Sequence, residues 1–242
     1  MCQLCHKNFA TISRRSFGLL ALSSAGLLLT GNADAEQKQK LPPKPENVLS
    51  PDAALKRLRE GNERYVDGIM RRHDFTRERE ALAGGQNPYA AVLSCADSRI
   101  APEYAFDSSR GDLFVCRVAG NFASDEIVAS LEYAIAILNT PLILVLGHDA
   151  CGAVDATIKS LKDDKPLPGH MPSLVEAIAP SVKAASSQSG AALNNAIRQN
   201  VVDNVAKLKS ASPILSAAVN EKKLKVVGGI YRLSSGKVEM IA

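Results

Sequence analysis

The sequence predicts an α/β protein: a mainly parallel central sheet of about four strands, flanked by helices, plus one antiparallel edge strand. Short apolar runs at 89–93, 113–118, 142–146 and 224–230 alternate with longer stretches of helical periodicity. That alternation is the pattern of parallel strands joined by crossover helices. After the last of these runs, Ser234-Ser235-Gly236 turns the chain into a short run at 237–241, a hairpin-like return. A chain of 242 residues holds one sizeable core and a short appendage.

The chain opens on an address. Ser13-Arg14-Arg15-Ser16-Phe17 precedes a mild apolar stretch at 18–29, and Ala33-Asp34-Ala35 follows. Charged region, apolar region and small-x-small site make residues 1–35 a cleaved secretory signal, and the paired arginines with a Phe two places on resemble the twin-arginine kind. A membrane anchor is the competing reading, but about 12 apolar residues rich in Gly, Ala and Ser are short for a span. The mature chain is then expected to begin at Glu36, exported to the periplasm by the twin-arginine machinery and free of the membrane afterwards. Cys2-x-x-Cys5-His6 matches a haem attachment motif but would be discarded with the leader.

Residues 36–50 carry Pro42, Pro43 and Pro45 and read as an extended arm or linker before a domain at 51–242. Ser50 and Pro51 suit the cap and first turn of a helix reaching Gly68, with Ala54, Leu55, Leu58 and Tyr65 as its apolar stripe. Gly61 inside that helix costs about 1 kcal/mol relative to Ala; close approach by another backbone would explain it. A second helix is expected over 76–83, ahead of Gly84-Gly85 and Asn87-Pro88. Ser124 caps a helix with Ile127, Val128, Leu131, Tyr133, Ala134, Ile137 and Leu138 inward. Further helices are expected over 153–161, 173–185, 191–210 and 213–220.

Chemistry gathers at two strand ends, where ligands bind in open α/β sheets. The first strand runs into Ser94-Cys95-Ala96-Asp97-Ser98-Arg99-Ile100-Ala101-Pro102, whose alternate positions put Cys95, Asp97 and Arg99 on one face if extended. The third runs into Gly147-His148-Asp149-Ala150-Cys151-Gly152. Two thiolates and one imidazole suit zinc, and three protein ligands with one open position form the catalytic arrangement. A structural zinc would need a fourth ligand, for which Asp97 is the obvious candidate. A Cys95–Cys151 disulfide is the rival in an exported protein, although it gives His148, Asp97 and Arg99 no purpose. Export in the folded state suits a protein that takes up its metal first, and a metal-bound thiolate is less open to oxidation. The net charge of +4, the absence of Trp and the lack of any basic stripe interleaved with aromatics give nucleic-acid binding no support.

Cys95-x-Asp97-x-Arg99, followed about fifty residues later by His148-x-x-Cys151-Gly152, resembles the β-class carbonic anhydrases. Gly61-Asn62-x-Arg64-Tyr65, Arg117-Val118-Ala119-Gly120-Asn121, Ser130-Leu131-Glu132-Tyr133-Ala134 and Gly229-Ile230-Tyr231 are similar to that family's recurring segments. The resemblance spans roughly residues 55–241. It implies one Zn²⁺ per subunit held by Cys95, His148 and Cys151, with Asp97 and Arg99 as the catalytic dyad. It implies reversible hydration of CO2 to bicarbonate and a proton by zinc-bound hydroxide, in a homodimer or higher even homo-oligomer whose N-terminal helix protrudes onto a partner. Two thiolates neutralise the ion, so the bound water should be less acidic than the ~7 of a three-histidine site. Asp97 would aim the hydroxide, and Arg99 would keep that carboxylate ionised and in place. With Asp97 on the metal instead, the enzyme would be off.

Two departures from the family pattern bear on regulation and binding. Residues 106–110 lack the Gln with which many relatives hold bicarbonate. Val92 stands where relatives with an inhibitory bicarbonate site carry Trp, although Arg117 matches that site's arginine. Other readings keep the metal and change the role: hydrolysis of carbonyl sulfide or carbon disulfide, or a non-catalytic zinc or bicarbonate binder, for which Asp97 and Arg99 have no use. Cys116 reads as core, His73 and His170 as surface residues, Asn62 and Arg64 as structural. Asp149 reads as either a loop cap or a support for His148.

Overall fold

The computed structural model describes residues 42–242; the expected leader and the first part of the arm lie outside them. All four apolar runs become strands of one sheet: β1 (Ala90–Ser94), β2 (Leu113–Arg117), β3 (Leu142–His148) and β4 (Lys225–Tyr231), with β5 (Val238–Met240) after them. Their order is β2-β1-β3-β4-β5. The first four are mutually parallel and β5 returns antiparallel on β4. Every residue of β1 and β3 is buried, which is why these strands read as continuous apolar runs rather than as alternation.

Helices cover both faces. They are α1 (Pro51–Val66), α2 (Phe75–Leu82), α3 (Pro102–Ala105), α4 (Asp125–Ala136), α5 (Gly152–Lys162), α6 (Pro172–Ala185), α7 (Ala192–Ser210) and α8 (Ile214–Asn220). Successive strand side chains point to opposite faces. Ala91, Leu93, Ile143 and Val145 therefore pack with Leu131, Ile178, Val201, Leu208 and Leu215 on one side. Val92, Leu142, Leu144 and Leu146 pack with Ala54, Leu58 and Phe106 on the other. No described helix is long and apolar enough to cross a membrane.

Capping fixes where helices start. The Ser50 hydroxyl accepts from Ala53 N–H at 3.3 Å and the Ser124 hydroxyl from Ile127 N–H at 3.5 Å. Gly61 has the reason expected of it: a Cβ there would lie 2.0 Å from the carbonyl oxygen of Phe106. Beside it, Asn62 Nδ2 donates to Ala105 O and Gly236 O at 2.9 and 2.8 Å, and its Oδ1 accepts Val238 N–H at 2.8 Å. Arg64 Nε donates to the buried Asp107 at 2.6 Å. Both residues fasten α1 to its own chain.

Several local expectations are corrected. Tyr133 and Ile137 are 48% and 62% exposed, because helical geometry puts Leu131 and Ala134 inward and carries 133 and 137 around the axis. Helix α3 went unforeseen, since four residues hold no periodicity to read. The described end of the arm is not loose. A 3-10 turn at Pro45–Asn47 docks on the body, where Lys44 Nζ and Asn47 Nδ2 both donate to Asp112 Oδ1, at 2.7 and 3.0 Å. Arg57 Nη1 donates to Asn47 Oδ1 at 2.6 Å.

Candidate metal centre

Parallel pairing of β1 with β3 brings their C-terminal ends side by side, with Ser94 opposite Leu146. Cys95 leaves β1 there, His148 is the last residue of β3, and Cys151 occupies the N-cap of α5. The ligand atoms of Cys95, His148 and Cys151 lie within 4.8 Å of one another, and all three residues are buried. Both cysteines are free thiols, so the disulfide alternative is not realised.

The imidazole is set by its surroundings. His148 Nδ1 lies 2.8 Å from the carbonyl oxygen of Asp149. A carbonyl only accepts, so Nδ1 carries the proton and Nε2 presents its lone pair. Nε2 is buried and, among the described residues, has no hydrogen-bond partner. Burying an unpaired nitrogen beside two thiols is costly unless something satisfies it. A zinc ion fits the donor set: two soft sulfurs and one neutral imidazole.

The thiols polarise one another. Pairing with Cys151, against the penalty of burial, lowers the Cys95 pKa, and the Gly120 N–H donates to Cys95 Sγ at 3.3 Å. Pairing with Cys95 and then burial push Cys151 far above the ordinary thiol range. Such a pair binds one proton tenaciously until a cation takes its place. Gly120 is required in this role: its φ is +86°, and a Cβ would meet Ile178 Cδ1 at 2.5 Å.

Asp97 and Arg99 form a two-pronged pair. Arg99 Nε donates to Asp97 Oδ1 at 2.9 Å and Nη2 donates to Oδ2 at 2.7 Å, while the Arg99 N–H also donates to Oδ1 at 2.9 Å. The hydrogen-bonded guanidinium holds the Asp97 carboxyl well below the usual carboxylate range, outweighing the opposing effect of partial burial. Asp97 Oδ2 is 3.9 Å from His148 Nε2.

The surrounding frame includes contacts that the residue types did not reveal. Arg117 is spent on main-chain carbonyls: Nε donates to Cys95 O at 3.0 Å, and Nη2 donates to Asp97 O and Ile100 O at 2.7 and 3.0 Å. The β1–β2 register, Ser94 opposite Arg117, places it there, and a register is not readable from residue types. Asp149 does both things expected of it as alternatives. Its carbonyl orients His148, and its Oδ1 accepts Leu233 N–H at 2.9 Å. Cys116 sits in β2 as a core thiol, pushed up to about 11 by burial. His73 bonds Ser109 at 3.0 Å and His170 is exposed; neither belongs to the ligand group.

Comparison with known proteins agrees with this geometry. The family model described as carbonic anhydrase matches residues 90–238. Carbonic anhydrase 2 of Mycobacterium tuberculosis is 39% identical over 189 residues, covering 78% of this chain and 91% of that protein. The carbonic anhydrase of Mycolicibacterium smegmatis is 37% identical over 192 residues, covering 79% and 93%. Among solved structures, a Coccomyxa β-carbonic anhydrase in complex with acetazolamide superposes with a TM-score of 0.60 at 28% identity, covering 78% of this chain and 80% of that one. A five-stranded, mostly parallel sheet with a Cys-His-Cys group at its strand ends, and relatives matched over nearly their full length, place this chain in the β class of the carbonic anhydrase family.

Proposed function

We propose that this carbonic anhydrase hydrates CO2 reversibly to bicarbonate and a proton, with Cys95, His148 and Cys151 holding zinc and the Asp97–Arg99 pair serving the reaction. The observation that carries the reading is the Asp97 carboxylate, gripped through both oxygens by Arg99 at the edge of the buried ligand group. When bound, zinc supplies a Lewis acid that makes water a nucleophile near neutral pH. The ionised Asp97 accepts the hydrogen of the attacking oxygen and so turns that oxygen's lone pair toward CO2. Arg99 keeps Asp97 charged and fixes its orientation. Arg117 holds the carbonyls of the same loop, so that Asp97 has little freedom to turn.

Stopped-flow CO2 hydration by the zinc-loaded protein, with metal content and carbonyl sulfide hydrolysis measured beside it, tests the reading. Fast hydration with one zinc per chain is the expected result. Zinc without hydration, or preferential carbonyl sulfide hydrolysis, would overturn it.

The reading includes two further features. The twin-arginine pattern at 13–17 and the small-x-small site at 33–35 support export to the periplasm. Val66, Ile69, Met70 and Phe75, exposed at and beyond the end of α1, support burial of that region in an even homo-oligomer.

A further inference from the structure

Helix α7 buries two asparagines one turn apart, Asn200 and Asn204, at 1% and 7% exposure among Ile197, Val201 and Val205. Amides in an apolar face are costly unless their donors and acceptors are met. Here they are met by one loop. Asn200 Nδ2 donates to Gly120 O at 2.8 Å, and Asn204 Oδ1 accepts Ala123 N–H at 2.7 Å. Asn204 Nδ2 donates back to Asn200 O and Oδ1, at 2.8 and 3.1 Å. One turn further along, Lys207 Nζ donates to Ala123 O at 2.6 Å. Residues 120–123 are thus held at both ends by a polar stripe on a single helix.

That loop donates a hydrogen bond to the ligand group, Gly120 N–H to Cys95 Sγ at 3.3 Å. We propose that Asn200, backed by Asn204 and Lys207, is a positioning residue for the metal centre: by holding the Gly120 carbonyl it fixes the backbone at that residue, so that the N–H on the other side of the same Cα donates to the Cys95 thiolate. The inference rests on Cys95 being a zinc ligand. A thiolate that accepts a hydrogen bond spreads part of its charge onto the donor, which eases its repulsion with the second sulfur and sets how strongly it gives density to the metal. Helix α7 lies close enough for this because Gly147 and Gly228 floor its contact with the sheet. A Cβ on either would come within 2.6 Å of a Val201 methyl, and Val201 adjoins Asn200.

The test uses the full chain, stripped of metal and reloaded with zinc or cobalt(II), as wild type, Asn200→Leu and Lys207→Met. Metal affinity is read by chelator competition, the cobalt form by its sulfur-to-metal charge-transfer band, and Gly120 by its amide NMR signal. Asn200→Leu is expected to weaken metal binding about 10–100-fold and to shift both the band and the Gly120 signal. Lys207→Met should move all three in the same direction by less. A folded Asn200→Leu protein with lowered thermal stability but unchanged affinity and band would overturn the inference, since a purely structural residue would behave that way. If Asn200→Leu does not fold, Lys207→Met decides: weaker binding with a shifted band supports the role, and wild-type values overturn it. Wild type that binds neither ion would instead defeat the metal reading itself.

Discussion

Asp97 Oδ2 stands 3.9 Å from His148 Nε2 while Arg99 Nη2 holds the same oxygen at 2.7 Å. One carboxylate oxygen thus lies between a guanidinium that keeps it charged and an imidazole nitrogen that faces the ligand group. The segment after β1 supplies Cys95 as well as the Asp97–Arg99 pair, the end of β3 and the loop after it supply His148 and Cys151, and this pair of distances is where the two meet.

Asp97→Asn preserves size and removes the charge. It should retain zinc and lose CO2 hydration by about 10²–10⁴-fold, the usual worth of a group that handles a proton in the transition state. Stopped-flow rates and metal content on the same sample check this. Undiminished hydration would remove Asp97 from the mechanism.

Metal should also stabilise the fold, because three buried ligands meet only in the native chain. At free zinc about a thousandfold above its dissociation constant the gain is about 4 kcal/mol, roughly 8–16 °C in Tm for a domain of this size. Calorimetry of stripped and reloaded protein measures it. Equal melting temperatures would mean that the three residues do not bind the ion in the folded state.

Gly61→Ala puts a methyl 2.0 Å from Phe106 O, and main chain cannot swing aside as a flexible side chain would. A loss of about 3 kcal/mol is expected, at the upper end for overpacking. Chemical denaturation is the measurement, and a near-neutral result would show that α1 and the Phe106 segment separate easily.

Asp112→Ala strips a carboxylate whose side chain is 4% exposed from Lys44, Asn47, Arg57 and the Ser109 N–H. Loss of one side of such a buried pairing costs about 3–5 kcal/mol. Limited proteolysis should then cut between residues 42 and 50 sooner than in wild type.

Cys116 gives stability an alkaline limit. Burial raises its pKa from an ordinary 9.0 to about 11. Between those values the unfolded chain loses the proton and the folded chain keeps it. Stability from this source is therefore complete below pH about 9 and falls as pH rises toward about 11. Cys116→Ala should flatten that part of a stability–pH curve, and an unchanged slope would assign the decline to other groups.

Much of this architecture is written in residue types. Both faces of β1 and β3 are covered, so their residues form unbroken apolar runs, and a Cys or His directly after such a run falls at the sheet's ligand-gathering end. What depended on register or on distant contacts could not be read. Arg117 is readable in sequence as a match to the family's bicarbonate-site arginine, but its hold on three carbonyls follows from the register that sets it opposite Ser94. Asn200 and Asn204 sit at helical spacing where amides usually face water; the partners that let them be buried, Gly120 O and Ala123 N–H, lie some eighty residues earlier in the chain. Asn47 lies in a proline-rich stretch whose composition suggests an arm, and its buried partner Asp112 is far along the chain.

The glycine floor under α7 has a bearing on synthesis. A nascent chain that has emerged through residue 151 already carries Cys95, His148 and Cys151. The turn that steadies Asp149 and the helix that steadies Gly120 arrive only with residues 192–233. Those two supports of the ligand group are therefore C-terminal to all three ligand residues, and are complete only once α7 lies on Gly147 and Gly228 and Leu233 has been added.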